Sequence, residues 1–186
     1  RRFFALQDID AQAFSSRVTD MLMRYRRQVT YGQLNLLDSH DVSRFLSLCD
    51  GDINRMKLAV LFQMTFVGMP CVFYGDEKGM TGVLEEEYRH PMPWDNKDSE
   101  IQAFYKKAAC LRRQYTALRR GDFRMIFAGR DGGMVHYTRE VAGEVIGVMM
   151  NRSNDSVNVS IPGEILWQEQ LNCDILGAYG FVLYRK

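Results

Sequence analysis

His40 and Asp41 stand side by side just beyond a short apolar run, Leu34-Asn35-Leu36-Leu37, with Asp38 and Ser39 between the run and the pair. An imidazole beside a carboxylate can move a proton, orient a nucleophile or join a metal site. A Ser39-His40-Asp41 hydrolytic triad is a poor reading, because adjacent residues on an extended strand point to opposite faces. A metal-dependent His-Asp phosphohydrolase would need further histidines, and His90 and His136 lie in segments that nothing gathers around the pair. The residues therefore require no metal and no cofactor. Taken alone, the pair also fits a strand-end turn whose Asp bonds its own backbone. Arg44 follows closely and either reaches the same cleft or lies at the surface. Gly75-Asp76-Glu77 ends a second apolar run, Cys71 to Tyr74; the glycine permits a tight turn, and the acids suit nearby arginines as structural partners.

The elements that must position these residues are legible from their periodicity. Phe14, Val18, Met21, Leu22 and Tyr25 recur at helical spacing, with Asp8 or Asp10 placed to cap the start. The run Leu34 to Leu37 has strand length. Leu58, Leu61, Phe62 and Phe66 mark a helix over residues 54–66, capped by Asp52 and stopped by Gly68-Met69-Pro70. Cys71 to Tyr74 is again a short strand. Helix, strand, helix, strand, with no apolar/polar alternation in the strands, predicts parallel strands buried on both faces. Residues 78–98, rich in Pro and Gly, predict an irregular excursion carrying Arg89, His90, Met92 and Trp94. Ser99 with Gln102 forms a capping-box signature for a helix running to Arg120 along Ile101, Phe104, Tyr105, Ala108, Leu111, Tyr115 and Leu118. Beyond Gly121 the pattern alternates, predicting strands at 134–138, 145–149, 157–161 and 181–184, with turns at Asp131-Gly132-Gly133 and at 151–155.

Composition narrows the partners. The 186 residues carry 24 basic and 23 acidic side chains, so no strong field points to nucleic acid or an acidic membrane surface. A neutral polar ligand fits better. No apolar run approaches the roughly 20 residues of a bilayer span, so the chain is expected to be soluble with no membrane partner. The four cysteines, Cys49, Cys71, Cys110 and Cys173, lack metal-ligand or redox spacing, and as reduced thiols they favour a cytoplasmic address.

Three ordered motifs, LLDSHD at 36–41, GMPCVFYGDE at 68–77 and RHPMPWD at 89–95, resemble the last part of the alpha-amylase family of glycoside hydrolases. SHDVSRFL and the terminal YGFVLY look most like its neopullulanase, cyclomaltodextrinase and maltogenic amylase branch. The resemblance implies an α/β plus all-β chain: residues 1–120 as the C-terminal portion of a (β/α)8 barrel and 121–186 as a small antiparallel β-sandwich domain. Barrel enzymes place their chemistry at the C-terminal ends of the strands, where Asp41 falls. The resemblance assigns Asp41 as a third carboxylate that stabilises the oxocarbenium-like transition state of a retaining glycosidase, with His40 on a sugar hydroxyl. It places Arg89, Met92 and Trp94 beside the active site, where apolar and aromatic surface suits glucose rings, although ordinary loop packing explains them equally. Arg44 joins them if it reaches the cleft.

The implied substrates are maltodextrins, cyclodextrins or pullulan. The family's nucleophilic Asp and acid/base Glu lie on earlier strands, upstream of Arg1, so this chain alone is expected to be inactive. Two barrel strands cannot close on themselves, which predicts self-association or pairing with the N-terminal half of a barrel. The other reading is a non-catalytic amylase-like chain that binds sugar or a partner. A dedicated starch-binding β unit is disfavoured, since Trp167 is its only tryptophan.

Overall fold

A computed structural model describes residues 1–7, 9–95, 99–129 and 132–186. Asp8 and Asp131, which the sequence offered as a cap and a turn residue, lie outside the described residues, as does the end of the excursion at 96–98. Helix α1 is Ala11–Arg24, and its cap is Asp10, whose side chain accepts the Ala13 N–H at 2.7 Å. A short helix α2, Arg27–Gly32, leads into strand β1, Leu34–Leu36. After a loop come α3, Phe45–Leu48, and α4, Ile53–Thr65, capped by Asp52 through the Asn54 N–H at 2.8 Å. Met56, Leu58, Ala59, Val60 and Leu61 are all buried, so α4 is enclosed on nearly every side.

Strand β2, Met69–Cys71, lies parallel to β1 in the register Leu34↔Met69, Asn35↔Pro70, Leu36↔Cys71. It starts two residues earlier than its apolar run suggests. The chain arrives through Gly68 at φ +97°, where a Cβ would sit 2.7 Å from the Gln33 carbonyl and the Asn35 side chain. Gln63 of α4 ties the strands together by donating to the Asn35 carbonyl at 2.8 Å and the Cys71 carbonyl at 2.9 Å. The strands were expected to be buried on both faces. Leu34, Leu36 and Met69 are instead about half exposed or more, because the described residues supply no further strand against their open edges.

A 3-10 turn at Asp76–Lys78 leads into the excursion, which holds helix α5, Glu85–Tyr88. The long helix expected from Ser99 breaks at Tyr115 into α6, Glu100–Gln114, and α7, Thr116–Arg120. Glu144 from the following sheet explains the break, since its Oε1 accepts the Ala117 N–H at 2.5 Å and caps α7 from outside. No helix is long and apolar enough to cross a membrane among the described residues.

Among the described residues, all helices precede Gly121 and one six-stranded antiparallel sheet follows it: β3 Asp122–Ala128, β4 Met134–Val141, β5 Glu144–Asn151, β6 Val157–Asn158, β7 Glu164–Asn172 and β8 Ile175–Arg185. Their order is β3-β4-β5-β8-β6, with β7 also on β8. Register shifts between Met125 and Phe127 in β3, and at two places in β7, curl this sheet. One core joins it to α4 and α6. Trp167 packs on Phe104 at 4.4 Å and on Phe181 at 4.9 Å between ring centroids, and Thr65 of α4 shares a 2.6 Å hydrogen bond with the Tyr137 hydroxyl. A C-terminal portion of a (β/α)8 barrel followed by an antiparallel β unit describes the chain.

Candidate functional site

The chain leaves β1 through buried Leu37 and Asp38 and turns sharply at Ser39-His40-Asp41-Val42, closed by the Val42 N–H donating to the Ser39 carbonyl at 3.3 Å. Ser39 Oγ accepts the Asp41 N–H at 3.3 Å and stiffens the turn. His40 and Asp41 form its tip, with side chains 69% and 66% exposed and His40 Nε2 3.3 Å from Asp41 Oδ2. Arg89 holds the tip from the excursion. Its Nε donates to the His40 carbonyl at 2.8 Å, Nη2 lies 3.5 Å from Asp41 Oδ1, and Nη1 pairs with Glu85 at 2.5 Å. Arg89 thus fixes both the backbone and the carboxylate of the turn while leaving Asp41 open to solvent.

His40, Asp41 and Arg89 are therefore brought together from positions 49 residues apart. Met92 is half-buried, and Trp94 stands 79% exposed farther along the Arg89 loop, its N–H bonded to the Met92 carbonyl at 3.0 Å. Arg44 is neither in the cleft nor at the surface. It is fully buried, with Nε donating to the Tyr88 carbonyl at 3.1 Å and Nη1 to the Tyr74 carbonyl at 2.6 Å and Asp76 Oδ1 at 3.0 Å. Its guanidinium also lies over the rings of Phe73 and Tyr74, 4.1 and 4.8 Å from their centroids. This corrects the expectation of a sugar contact: its donors face the protein, and Arg44 instead braces the loops after β1 and β2 against the excursion.

Sequence reasoning gave Asp38 no role. It is 2% exposed, and its Oδ2 accepts the Phe45 N–H at 2.5 Å, closing the loop that carries the turn and starting α3. Asp76 is equally buried. Burial first, and then Asp38, push its carboxyl up to about 9, against the opposing pull of Arg44. The Asp in LLDSHD and that in YGDE were the available signals, but a sequence does not show that two strand-end acids become buried neighbours. No group of three or more His, Cys, Asp or Glu suited to a metal occurs among the described residues.

An exposed carboxylate on a turn beyond a parallel barrel strand, with a guanidinium at its side, can accept hydrogen bonds from hydroxyls and oppose developing positive charge. A barrel segment that presents such a group at its strand ends belongs to the class of barrel enzymes whose chemistry sits on those loops. The alpha amylase catalytic-domain family matches residues 4–99. Over 98% of this chain, a cyclomaltodextrinase of Geobacillus thermopakistaniensis is 38% identical, the match taking in 34% of that protein. Neopullulanase 2 of Thermoactinomyces vulgaris is 39% identical over 85% of this chain and 27% of its own length. A solved cyclomaltodextrinase superposes with a TM-score of 0.84 at 36% identity, over 98% of this chain and 34% of that one. The cyclic alpha-maltosyl-(1→6)-maltose hydrolase of Arthrobacter globiformis, solved with its namesake sugar, gives 0.86 at 28% identity over 100% and 42%. The chain belongs to the alpha-amylase family of glycoside hydrolases. It spans about a third of the length of the curated relatives it matches.

Proposed function

We propose that this chain is the C-terminal part of a longer retaining glycoside hydrolase that cleaves α-glucosidic bonds in maltodextrins, cyclodextrins or pullulan, and that Asp41 is its transition-state-stabilising carboxylate. The observation that carries this reading is the exposed Asp41 carboxylate, presented beyond a parallel strand and aligned by Arg89. In such a reaction the sugar at the cleavage point flattens toward an oxocarbenium ion. A fixed carboxylate that bonds the ring hydroxyls favours that geometry and opposes its positive charge. His40 contacts the same sugar, while Met92 and Trp94 offer apolar surface to a neighbouring ring. Residues 1–120 act as the barrel part and 121–186 as a β domain packed against it through a shared core. The nucleophile and general acid come from earlier strands, so this chain by itself turns over nothing. The open edges of β1 and β2 support a further partner, the rest of a barrel or a second copy, set against Leu34, Leu36 and Met69.

The deciding assay measures release of reducing sugar from maltotriose and cyclodextrin by the full-length protein, its Asp41→Asn variant and the isolated chain. Asp41→Asn is expected to lower kcat/KM by about a hundredfold or more, by analogy with loss of one preorganised transition-state contact. Turnover by the isolated chain would refute its expected inactivity. An inert full-length protein with an intact upstream Asp and Glu would sink the enzymatic reading and leave a sugar-binding or interaction role.

A further inference from the structure

Directly under the exposed turn lies a second pair of acids that sugar binding does not use. Asp38 follows β1 and Asp76 follows β2, and each is 2% exposed. Asp76 Oδ1 accepts Arg44 Nη1 at 3.0 Å and Asp38 Oδ2 accepts the N–H of the next residue, Phe45, at 2.5 Å, which sets the two carboxyls beside each other. Two ionised carboxylates have only acceptors to offer each other, so a hydrogen bond between neighbours of this kind requires a proton on one of them. Asp38 Oδ2 is taken by the Phe45 N–H, while Asp38 Oδ1 is buried with no hydrogen-bond partner. Arg44 bonds Asp76, but it divides its donors with the Tyr74 and Tyr88 carbonyls. One shared guanidinium balances one buried negative charge. Arg1, bonded to the Ser43 carbonyl, acts on Asp38 through its charge from a partly exposed position, so a second buried negative charge is poorly compensated and retaining a proton reduces that cost.

We propose that Asp38 and Asp76 hold one proton between them, and that this proton-linked pair, braced by Arg44, positions the His40–Asp41 turn. The proposal rests on Asp41 being the substrate-facing carboxylate. Asp38 grips the turn from below, since its bond to the Phe45 N–H spans the residues between. Arg44 grips the excursion at the Tyr88 carbonyl, one residue before the Arg89 that holds His40 and Asp41. Loss of the proton sets two like charges against each other at the ends of β1 and β2 and draws Asp41 out of register with Arg89. The other charged or titratable groups facing the pair are Arg1, whose guanidinium interacts with Asp38, the buried Tyr105 hydroxyl of α6, and Glu77, whose Oε2 accepts the Gly75 N–H at 2.9 Å. Lys78, on the same 3-10 turn, reaches Gln102 on α6 at 3.5 Å.

The test compares the full-length protein with its Asp76→Asn and Asp76→Ala variants. Asn keeps a hydrogen bond to Asp38 without ionising, whereas Ala removes it. A carboxyl that holds its proton when folded and releases it when unfolded stabilises the fold most at acid pH. That stability is lost as pH rises from the ordinary 3.8 towards about 9. Across that window the unfolding constant of the wild type is expected to rise by up to about tenfold per pH unit relative to Asp76→Asn. Parallel curves for the two proteins overturn the shared proton. In activity, kcat of the wild type is expected to fall at alkaline pH and that of Asp76→Asn to stay flatter, with Asp76→Ala about tenfold below Asp76→Asn at any one pH. Equal kcat in the Asn and Ala variants overturns the positioning role. If Asp76→Ala does not fold, the two pH profiles of wild type and Asp76→Asn still decide. If the wild type shows no turnover, the glycosidase reading fails while the unfolding curves still test the proton.

Discussion

The seam between the helices and the curled sheet, and the turn that carries Asp41, both use arginines against backbone carbonyls, yet they leave those arginines in opposite states. At the seam, Arg139 is fully buried and donates to the Thr65 carbonyl at 2.5 Å, the Leu118 carbonyl at 3.0 Å and the Gly121 carbonyl at 2.7 and 3.3 Å. Arg112 joins it on Leu118 and also takes the Met64 and Phe66 carbonyls at 2.8 and 3.1 Å. These carbonyls belong mostly to the C-terminal ends of α4 and α7, where the helix leaves acceptors unpaired and the dipole favours a cation. Burial pushes the Arg139 guanidinium down to about 10, so it still carries its charge at neutral pH. At the turn, by contrast, Arg89 is 45% exposed and leaves Asp41 facing water. A buried guanidinium whose bonds are spent on the chain specifies the fold, whereas a half-exposed one orients a carboxylate without covering it.

The largest effect is expected where the seam is broken. Arg139→Met fills similar space but strands the Thr65 carbonyl and leaves the Leu118 and Gly121 carbonyls to Arg112 and the Tyr31 hydroxyl alone, and an unpaired buried acceptor costs roughly 1–3 kcal/mol. A loss of about 1–3 kcal/mol in denaturant-derived stability is expected for the full-length protein. A loss under about 1 kcal/mol would mean that water replaces the guanidinium, and the contrast between the two regions would collapse. Trp167→Ala probes the same seam through its aromatic contacts with Phe104 and Phe181, with an expected cost of about 3–5 kcal/mol.

A smaller effect is expected at the helix break that the sequence concealed. Glu144→Ala removes the acceptor of the Ala117 N–H and should cost about 1 kcal/mol, the usual worth of a helix cap. If Glu144→Ala leaves stability unchanged, Tyr115-Thr116 rather than Glu144 sets the break.

The same case shows why part of this fold was legible and part was not. The α1, α4 and α6 stripes, with their Asp10, Asp52 and Ser99 caps, are local patterns, and the sequence exposes them. The cap that splits the last helix comes from 27 residues downstream, so no window on the helix reveals it. Strand β3 was missed although its burial alternates, and β7 because Gln168, Glu169 and Gln170 interrupt its apolar pattern. In β8 the glycines at 177 and 180 hid the first half of a strand that begins at Ile175. At the site, His40, Asp41 and Arg89 were legible as residue types in ordered motifs. The burial of Arg44 was not, since its acceptors at Tyr74 and Tyr88 become its neighbours only after folding.

The smallest stability effect is expected at the turn, and it sharpens the comparison most. The ion pairs of Arg89 with Asp41 and Glu85 are exposed, and such pairs contribute about 0–1 kcal/mol. Arg89→Lys retains a charge but loses the planar fork that reaches the His40 carbonyl and the Asp41 carboxylate together. Stability of the full-length variant should therefore stay within about 1 kcal/mol of wild type. Its kcat should nonetheless fall, because Asp41 is no longer held in one orientation. A fall in kcat larger than the rise in KM identifies Arg89 as orienting a group that acts in the transition state, whereas a rise in KM alone places it on the bound sugar. A variant destabilised as severely as Arg139→Met would show that the turn, too, belongs to the structure that specifies the fold.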